Sequence, residues 1–167
     1  VRYIVNFVFL VLPISRCFAF KRGLLKLAGV QVGDDAKING MGGFYGHGFI
    51  QIGASTWVGP GCRFYSVNDA VISIGQKCDI APEVTFIVGT HDIGDSERRA
   101  GPGRCDHIYI EDGCWIGTRS TVLGGVRIGR GTVVGAGSLV NASLPENCVA
   151  AGVPAKPIRF FESDGKD

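Results

Sequence analysis

Three histidines, six cysteines and a scatter of carboxylates are the side chains of this sequence that could move protons, hold a metal or attack a carbonyl. His91 stands in IVGTHDI at the head of a polar, charged, glycine-rich run, THDIGDSERRAGPGRCDH, that closes on His107. An imidazole exchanges a proton near neutral pH, so histidine is a residue type suited to acid–base work. Asp92 and Asp95 follow it closely and could orient the ring or hold a polar substrate; solvated loop charge is the plainer reading of both. His91, Cys105 and His107 are near enough in sequence for a metal-ligand set from one loop, but no H-x-H or C-x-x-C spacing accompanies them and no metal is expected. His47, in FYGHGF, has glycine on each side and reads as a turn residue. Cys17, Cys62, Cys78, Cys105, Cys114 and Cys148 are dispersed. Of these, Cys62, Cys78 and Cys114 recur near apolar repeat positions and read as small buried hydrophobes, not nucleophiles.

The elements that hold these groups show first in composition. The chain has 167 residues with 26 Gly and a formal net charge of +2, which suits one domain of moderate core. Glycine in such excess, with no Gly-X-Y period and with abundant Val and Ile, argues against collagen, disorder and a helical bundle, and for short strands joined by tight turns. The near-zero charge gives no footprint for nucleic acid. Dispersed cysteines and the lack of a cleavable signal point to a reducing, cytoplasmic compartment, with a peripheral place at the inner face of the membrane as the variant.

That variant comes from the N-terminus. YIVNFVFLVLPI, residues 3–14, is uncharged and almost wholly apolar, and Arg16, Lys21, Arg22 and Lys26 follow it. The run is shorter than the roughly 20 apolar residues of a membrane span and holds Asn6 and Pro13. Two readings remain: a pair of short helices packed on the neighbouring coil or subunit, or an interfacial segment against anionic lipid.

The rest of the chain is periodic. Ile110, Ile116, Val122, Ile128, Val134 and Val140 lie six residues apart without a slip, with Gly117, Gly129 and Gly135 directly after the apolar position. Shorter runs keep the phase upstream: Val32, Ile38, Phe44 and Ile50; Ile52, Val58 and Phe64; Ile74, Ile80 and Phe86. Neither a helix nor a hairpin repeats every six residues. A solenoid does, with one short strand and one turn per unit, three units per triangular coil and about five coils, the small residue letting the chain bend. Its two open ends need covers, which assigns that task to residues 1–28 and to the chain from about 145. The expected organisation is a helical segment over 1–28, a solenoid domain over 29–160 with a loop extruded at 90–107, and a flexible tail over 161–167. A loop held by a rigid scaffold is where sites are built.

The repeated I-G-x-x-x-x units, the stretch IEDGCWIGTRSTVLGGVRIGRGTVVGAGSLV and the ending VAAGVPAKPIR resemble the hexapeptide-repeat acyltransferases, in particular their maltose/galactoside and surface-polysaccharide O-acetyltransferase branch, over roughly residues 30–160. The resemblance implies an all-β, left-handed parallel β-helix, a homotrimer with sites between subunits, and acetyl-CoA as donor. It places the family's catalytic histidine on His91, which would take a proton from the acceptor as that atom attacks the thioester. Asp69, in SVNDAVISIG, falls where sugar-acetylating relatives carry an acidic acceptor contact, with Asp92 as a second acceptor residue. Gly61 stands where galactoside-type relatives have an acceptor-lining Asn, a departure that separates this chain from a simple galactoside or maltose acceptor. For the donor, the resemblance implies Trp115 at the coenzyme cleft, with burial in the solenoid as its alternative, and Gly117, Thr118 and Ala136 along the pantetheine channel. Lys156 and Arg159 would meet the coenzyme phosphates. Asn141 and Ala142 replace a Thr-Lys or Thr-Arg pair, so one phosphate contact is missing unless Arg130 supplies it. The expected reaction is acetyl transfer to a sugar hydroxyl of a surface polysaccharide or its precursor. The alternatives are N-acetylation of a nucleotide-linked amino sugar and a non-catalytic trimeric assembly protein. A carbonic-anhydrase-like enzyme would need three ligating histidines, and a serine acetyltransferase a long helical N-terminal domain.

Overall fold

Six-residue spacing becomes three-sided geometry. In the computed structural model, which describes residues 1–67 and 69–162, Ile110, Ile116 and Val122 point inward from three different sheets, and Ile128, Val134 and Val140 repeat them one coil later. The first face stacks Val30–Val32, Phe49–Ile52, Val71–Ile74, Ile108–Ile110 and Val126–Ile128. The second stacks Lys37–Ile38, Trp57–Val58, Asp79–Ile80, Trp115–Ile116 and Val133–Val134, then Cys148–Gly152 with the antiparallel Ala155–Phe160. The third stacks Gly43–Gly46, Arg63–Ser66, Thr85–Ile87, Thr121–Leu123 and Leu139–Val140. All coil-to-coil pairing is parallel, giving five full coils and the start of a sixth, at Leu144 and Cys148–Gly152. Like residues therefore sit above like: Phe44, Phe64 and Phe86 stack inside at 4.7 and 5.0 Å between ring centroids, and Tyr45 lies on Tyr65 outside at 4.9 Å.

The corners differ in how they turn. The bend itself is made by a left-handed residue further into the turn, as often non-glycine (Ser55, Lys77, Glu83, Arg119) as glycine (Gly113, Gly131, Gly137). The glycine just after the apolar position serves another purpose. At Gly117 a Cβ would come within 2.5 Å of the Ala136 backbone nitrogen, so its missing side chain lets successive coils close.

Two helices cover the first coil. In α1 (Arg2–Val11), the Asn6 side chain donates to Phe44 O at 3.1 Å and accepts from Phe44 N–H at 2.9 Å, standing in for the strand that the end of the sheet lacks. Arg2 donates to Gly46 O, Gly48 O and Ser66 Oγ. In α2 (Phe18–Leu27), Leu25 enters the core, as Val5 and Phe9 of α1 do, and Lys21 donates to the carbonyls of Pro13 and Ile14. The inner faces thus pack on the coil, whereas Tyr3, Ile4, Phe7, Leu10 and Val11 stay exposed on the outer one. No helix of the described residues is long and apolar enough to cross a membrane. The segment expected as an extruded loop is largely a two-stranded antiparallel ribbon, Gly89–Ile93 with Ala100–Cys105. Residues 163–167 of the expected tail lie outside the described residues.

Candidate active site

Two corners carry the expected site residues. The third corner, where the third face turns back into the first, is crossed at His47, at residues 67 and 69–70, at the ribbon, at Gly124–Gly125 and at residues 141–143. It therefore gathers Asp69, His91, Asp92, Asn141 and Ala142 along one edge of the prism. The second corner, between the second and third faces, holds Gly117, Thr118 and Ala136, and the adjoining second face holds Trp115 and the closing strand with Lys156 and Arg159. From Thr118 to Gly124 the chain runs a whole six-residue edge, about 20 Å when extended. A single chain keeps the two groups apart.

His91 is exposed and pairs across the ribbon with Gly103. Its ring lies over that glycine, where a Cβ would stand 3.9 Å from Cδ2 and Nε2. The ribbon is bulged between His91 and Ile93, which turns the strand just after the imidazole. Asp92 forms an ion pair with Arg104 at 3.0 Å, and Arg104 also reaches Asp106 at 2.6 Å, so Asp92 ties the two strands together. Asp95 accepts from the backbone N–H groups of Glu97 and Arg98 and closes the turn. The ribbon joins the solenoid through Val88 and Asp106, and Gly124 fits beneath: a Cβ there would approach Val88 O to 2.7 Å and Asp106 O to 2.9 Å.

Two features of this corner were missed from sequence. His107 accepts a hydrogen bond from Val71 N–H at Nδ1, 3.0 Å, so the proton of its neutral ring sits on Nε2. Arg104 fixes the ribbon through its two carboxylates. The second has a readable signal, since Asp92 and Arg104 carry opposite charges at positions that meet once THDIGDSERRAGPGRCDH is folded as a hairpin. The first has none, because it joins residues of neighbouring coils.

On the donor side, Trp115 is 56% exposed between Asp79 and Val133, which overturns burial as its alternative. Thr118 and Ala136 are exposed, while Gly117 is buried between coils. Lys156 and Arg159 are exposed, with the Arg159 guanidinium 5.1 Å above the Phe161 ring. Arg130 is tied to Asp112 at 3.2 Å on the first corner, away from both groups. A groove of about 520 Å³ on the first face, lined by Gln51, Ser73, Tyr109, Glu111 and Arg127, includes Arg130 but none of the other expected site residues.

Cys62 and Cys114 are buried fillers. Burial pushes the Cys62 thiol up to about 12, and the neighbouring Cys78 thiol together with burial raises Cys114. Both are held away from the reactive thiolate form. No group of His, Cys, Asp and Glu able to hold a metal occurs among the described residues.

Comparison with known proteins agrees with this geometry. A family model for the bacterial transferase hexapeptide (six repeats) matches residues 107–142. The galactoside O-acetyltransferase of Escherichia coli strain K12 is 36% identical over 136 residues, 71% of this chain and 67% of that protein. A hexapeptide-repeat acetyltransferase of Vibrio cholerae superposes with a TM-score of 0.77 at 26% identity, covering 97% of this chain and 91% of that one. The polySia-specific acetyltransferase NeuO superposes with a TM-score of 0.68 at 27% identity, covering 83% and 65%. Across three curated relatives the chain spans 42% to 67% of their length.

Proposed function

The chain belongs to the hexapeptide-repeat acyltransferase family, and from that premise we propose that it moves the acetyl group of acetyl-CoA to a sugar hydroxyl of a surface polysaccharide or its precursor. His91 is the general base. It removes the hydroxyl proton while the oxygen attacks the thioester carbonyl, and the tetrahedral intermediate collapses with loss of the coenzyme thiolate, which regains a proton. Transfer is direct, with the acceptor oxygen itself attacking the thioester and no covalent enzyme intermediate. Asp69 contacts the acceptor, and Asp92 acts through Arg104 by holding the strand that carries His91. Trp115, Thr118 and Ala136 line the donor cleft beside Gly117, with Lys156 and Arg159 toward the phosphates. Asn141 and Ala142 pass the donor at the third corner.

The observation that carries this reading is the division of the site between two corners of one prism. The halves meet only if the third corner of one subunit faces the second corner of the next, which a closed ring of three copies provides. The relatives named galactoside O-acetyltransferase and polySia-specific acetyltransferase support a carbohydrate acceptor. The test is thiol release from acetyl-CoA with a panel of oligosaccharide and nucleotide-sugar acceptors, followed by mass analysis of the product. An O-acetylated sugar, lost in His91→Ala, is expected. An N-acetylated nucleotide-linked amino sugar as the sole product would replace the acceptor assignment, and no turnover by an intact trimer would favour the assembly role.

A further inference from the structure

We propose that the outer face of the helical cap is a docking plate for an anionic phospholipid surface. The capping helices use their polar groups inward: Arg2 and Asn6 bond to the first two coils, and Lys21 to the carbonyls of Pro13 and Ile14. What remains outside is apolar. Tyr3, Ile4, Phe7, Leu10 and Val11 of α1 are each 63–71% exposed, at the i, i+3, i+4, i+7 spacing of one helix face. Phe20 and Leu27 of α2 are exposed too, beside a shallow apolar hollow of about 710 Å³ lined by Ala19, Phe20, Gly23, Leu24, Lys26 and Leu27. Both helices pack on the first coil, so both outer faces look away from the solenoid along its axis. Aromatic and branched side chains two-thirds exposed make a patch of several hundred Å² by order of magnitude, beyond what an unpartnered soluble surface usually presents.

Charge decides the occupant. The first 33 residues hold five of the 17 Lys and Arg and none of the 15 Asp and Glu. Arg16 and Lys26 are exposed at the fringe of the apolar face, and neither pairs with a carboxylate among the described residues. An apolar plate with Arg16 and Lys26 at its rim matches the boundary between acyl chains and anionic headgroups. With its inner face packed on the first coil and held there by Asn6 and Arg2, α1 presents its outer face side-on, the orientation of a helix lying in the interface. Under the transferase reading above, docking has a use. The third corner opens two to three coils above the plate, about 10–15 Å along the axis, and so faces acceptors held near the headgroups. The docking itself does not rest on that reading, and its test does not involve activity.

The experiment is sedimentation of the full chain with vesicles of phosphatidylcholine plus phosphatidylglycerol, against phosphatidylcholine alone, with molar mass followed by light scattering. The expected result is binding to the anionic vesicles that falls with salt. It weakens roughly tenfold or more in Phe7→Glu/Leu10→Glu and in Arg16→Gln/Lys26→Gln, without change in folding or mass. In Phe7→Trp, brominated acyl chains should quench the new indole emission. Equal binding by the variants, no binding by the parent chain, or a loss of oligomer mass in Phe7→Glu/Leu10→Glu, which marks the face as a contact between copies, would each overturn the proposal.

Discussion

The first and third corners of the prism solve the same turning problem in opposite ways. At the first, a buried column of Thr56, Cys78, Cys114, Thr132 and Cys148 follows the coils; the first four give their hydrogen bonds to a turn carbonyl of a neighbouring coil, and Cys148 gives its own to Pro145 O of its own turn. Thr132 Oγ1 donates to Pro145 O at 2.6 Å, and Cys114 Sγ to Gly129 O at 3.1 Å. That corner is closed, satisfied and regular. At the third, the column is broken by the ribbon, whose side chains are almost all exposed and whose strands are tied by ion pairs of Arg104 in water. Exposed pairs contribute about 0–1 kcal/mol each, so the ribbon draws its order from the scaffold beneath it. Regularity supplies stability, and the interruption supplies the place where the His91 imidazole stands exposed on a fixed support.

This contrast predicts where substitutions act. The largest effect belongs to His91→Ala, for which turnover should fall by about 10²–10⁴ while the unfolding free energy moves by no more than about 0.5 kcal/mol, measured by thiol release and by denaturant titration. A large stability loss would mean that the ribbon holds the fold up, against the contrast. Phe64→Ala, in the middle of the inner aromatic stack, should instead lower stability by about 3–5 kcal/mol in the same titration. Thr132→Val keeps the shape of the first corner but removes its donor to Pro145 O, at an expected cost of about 1–2 kcal/mol. The smallest effect is that of Asp112→Asn. The Asp112 carboxylate accepts from Gln76 N–H at 2.9 Å, which with the Gln76 amide and Arg130 holds its pKa below the usual carboxylate range. A depressed carboxylate stabilises above its unfolded pKa and loses that contribution as pH falls through the folded one. The variant should therefore be less stable by about 1 kcal/mol or less at neutral pH, a gap that closes as pH drops below about 3.9.

The scaffold was legible because each coil writes itself into the sequence. Every apolar position of the six-residue series from Ile110 to Val140 is buried, and so are Phe44, Phe64 and Phe86 upstream. The ribbon was not legible as strands, since GTHDI and AGPGRC bury neither face and so show no alternation of apolar and polar residues. The N-terminus was ambiguous for the reverse reason. Residues 3–14 are apolar on both faces, and only the placement of Arg2 and Asn6 against the first coils tells which side packs. Resemblance named the candidate site residues, but not that they divide between two corners, because that division is a matter of phase around the prism.

The central claim is that one site is shared by two subunits, and subunit mixing tests it most directly. His91→Ala and Trp115→Ala chains, each impaired alone, are unfolded together, refolded and assayed for acetyl transfer. If the third corner of one copy works with the second face of the next, each mixed trimer carries an intact His91 opposite an intact Trp115 at one of its interfaces, roughly one interface in four over the whole population refolded from equal amounts, and activity returns in that proportion. A mixture no more active than the sum of its two parents would contradict the account.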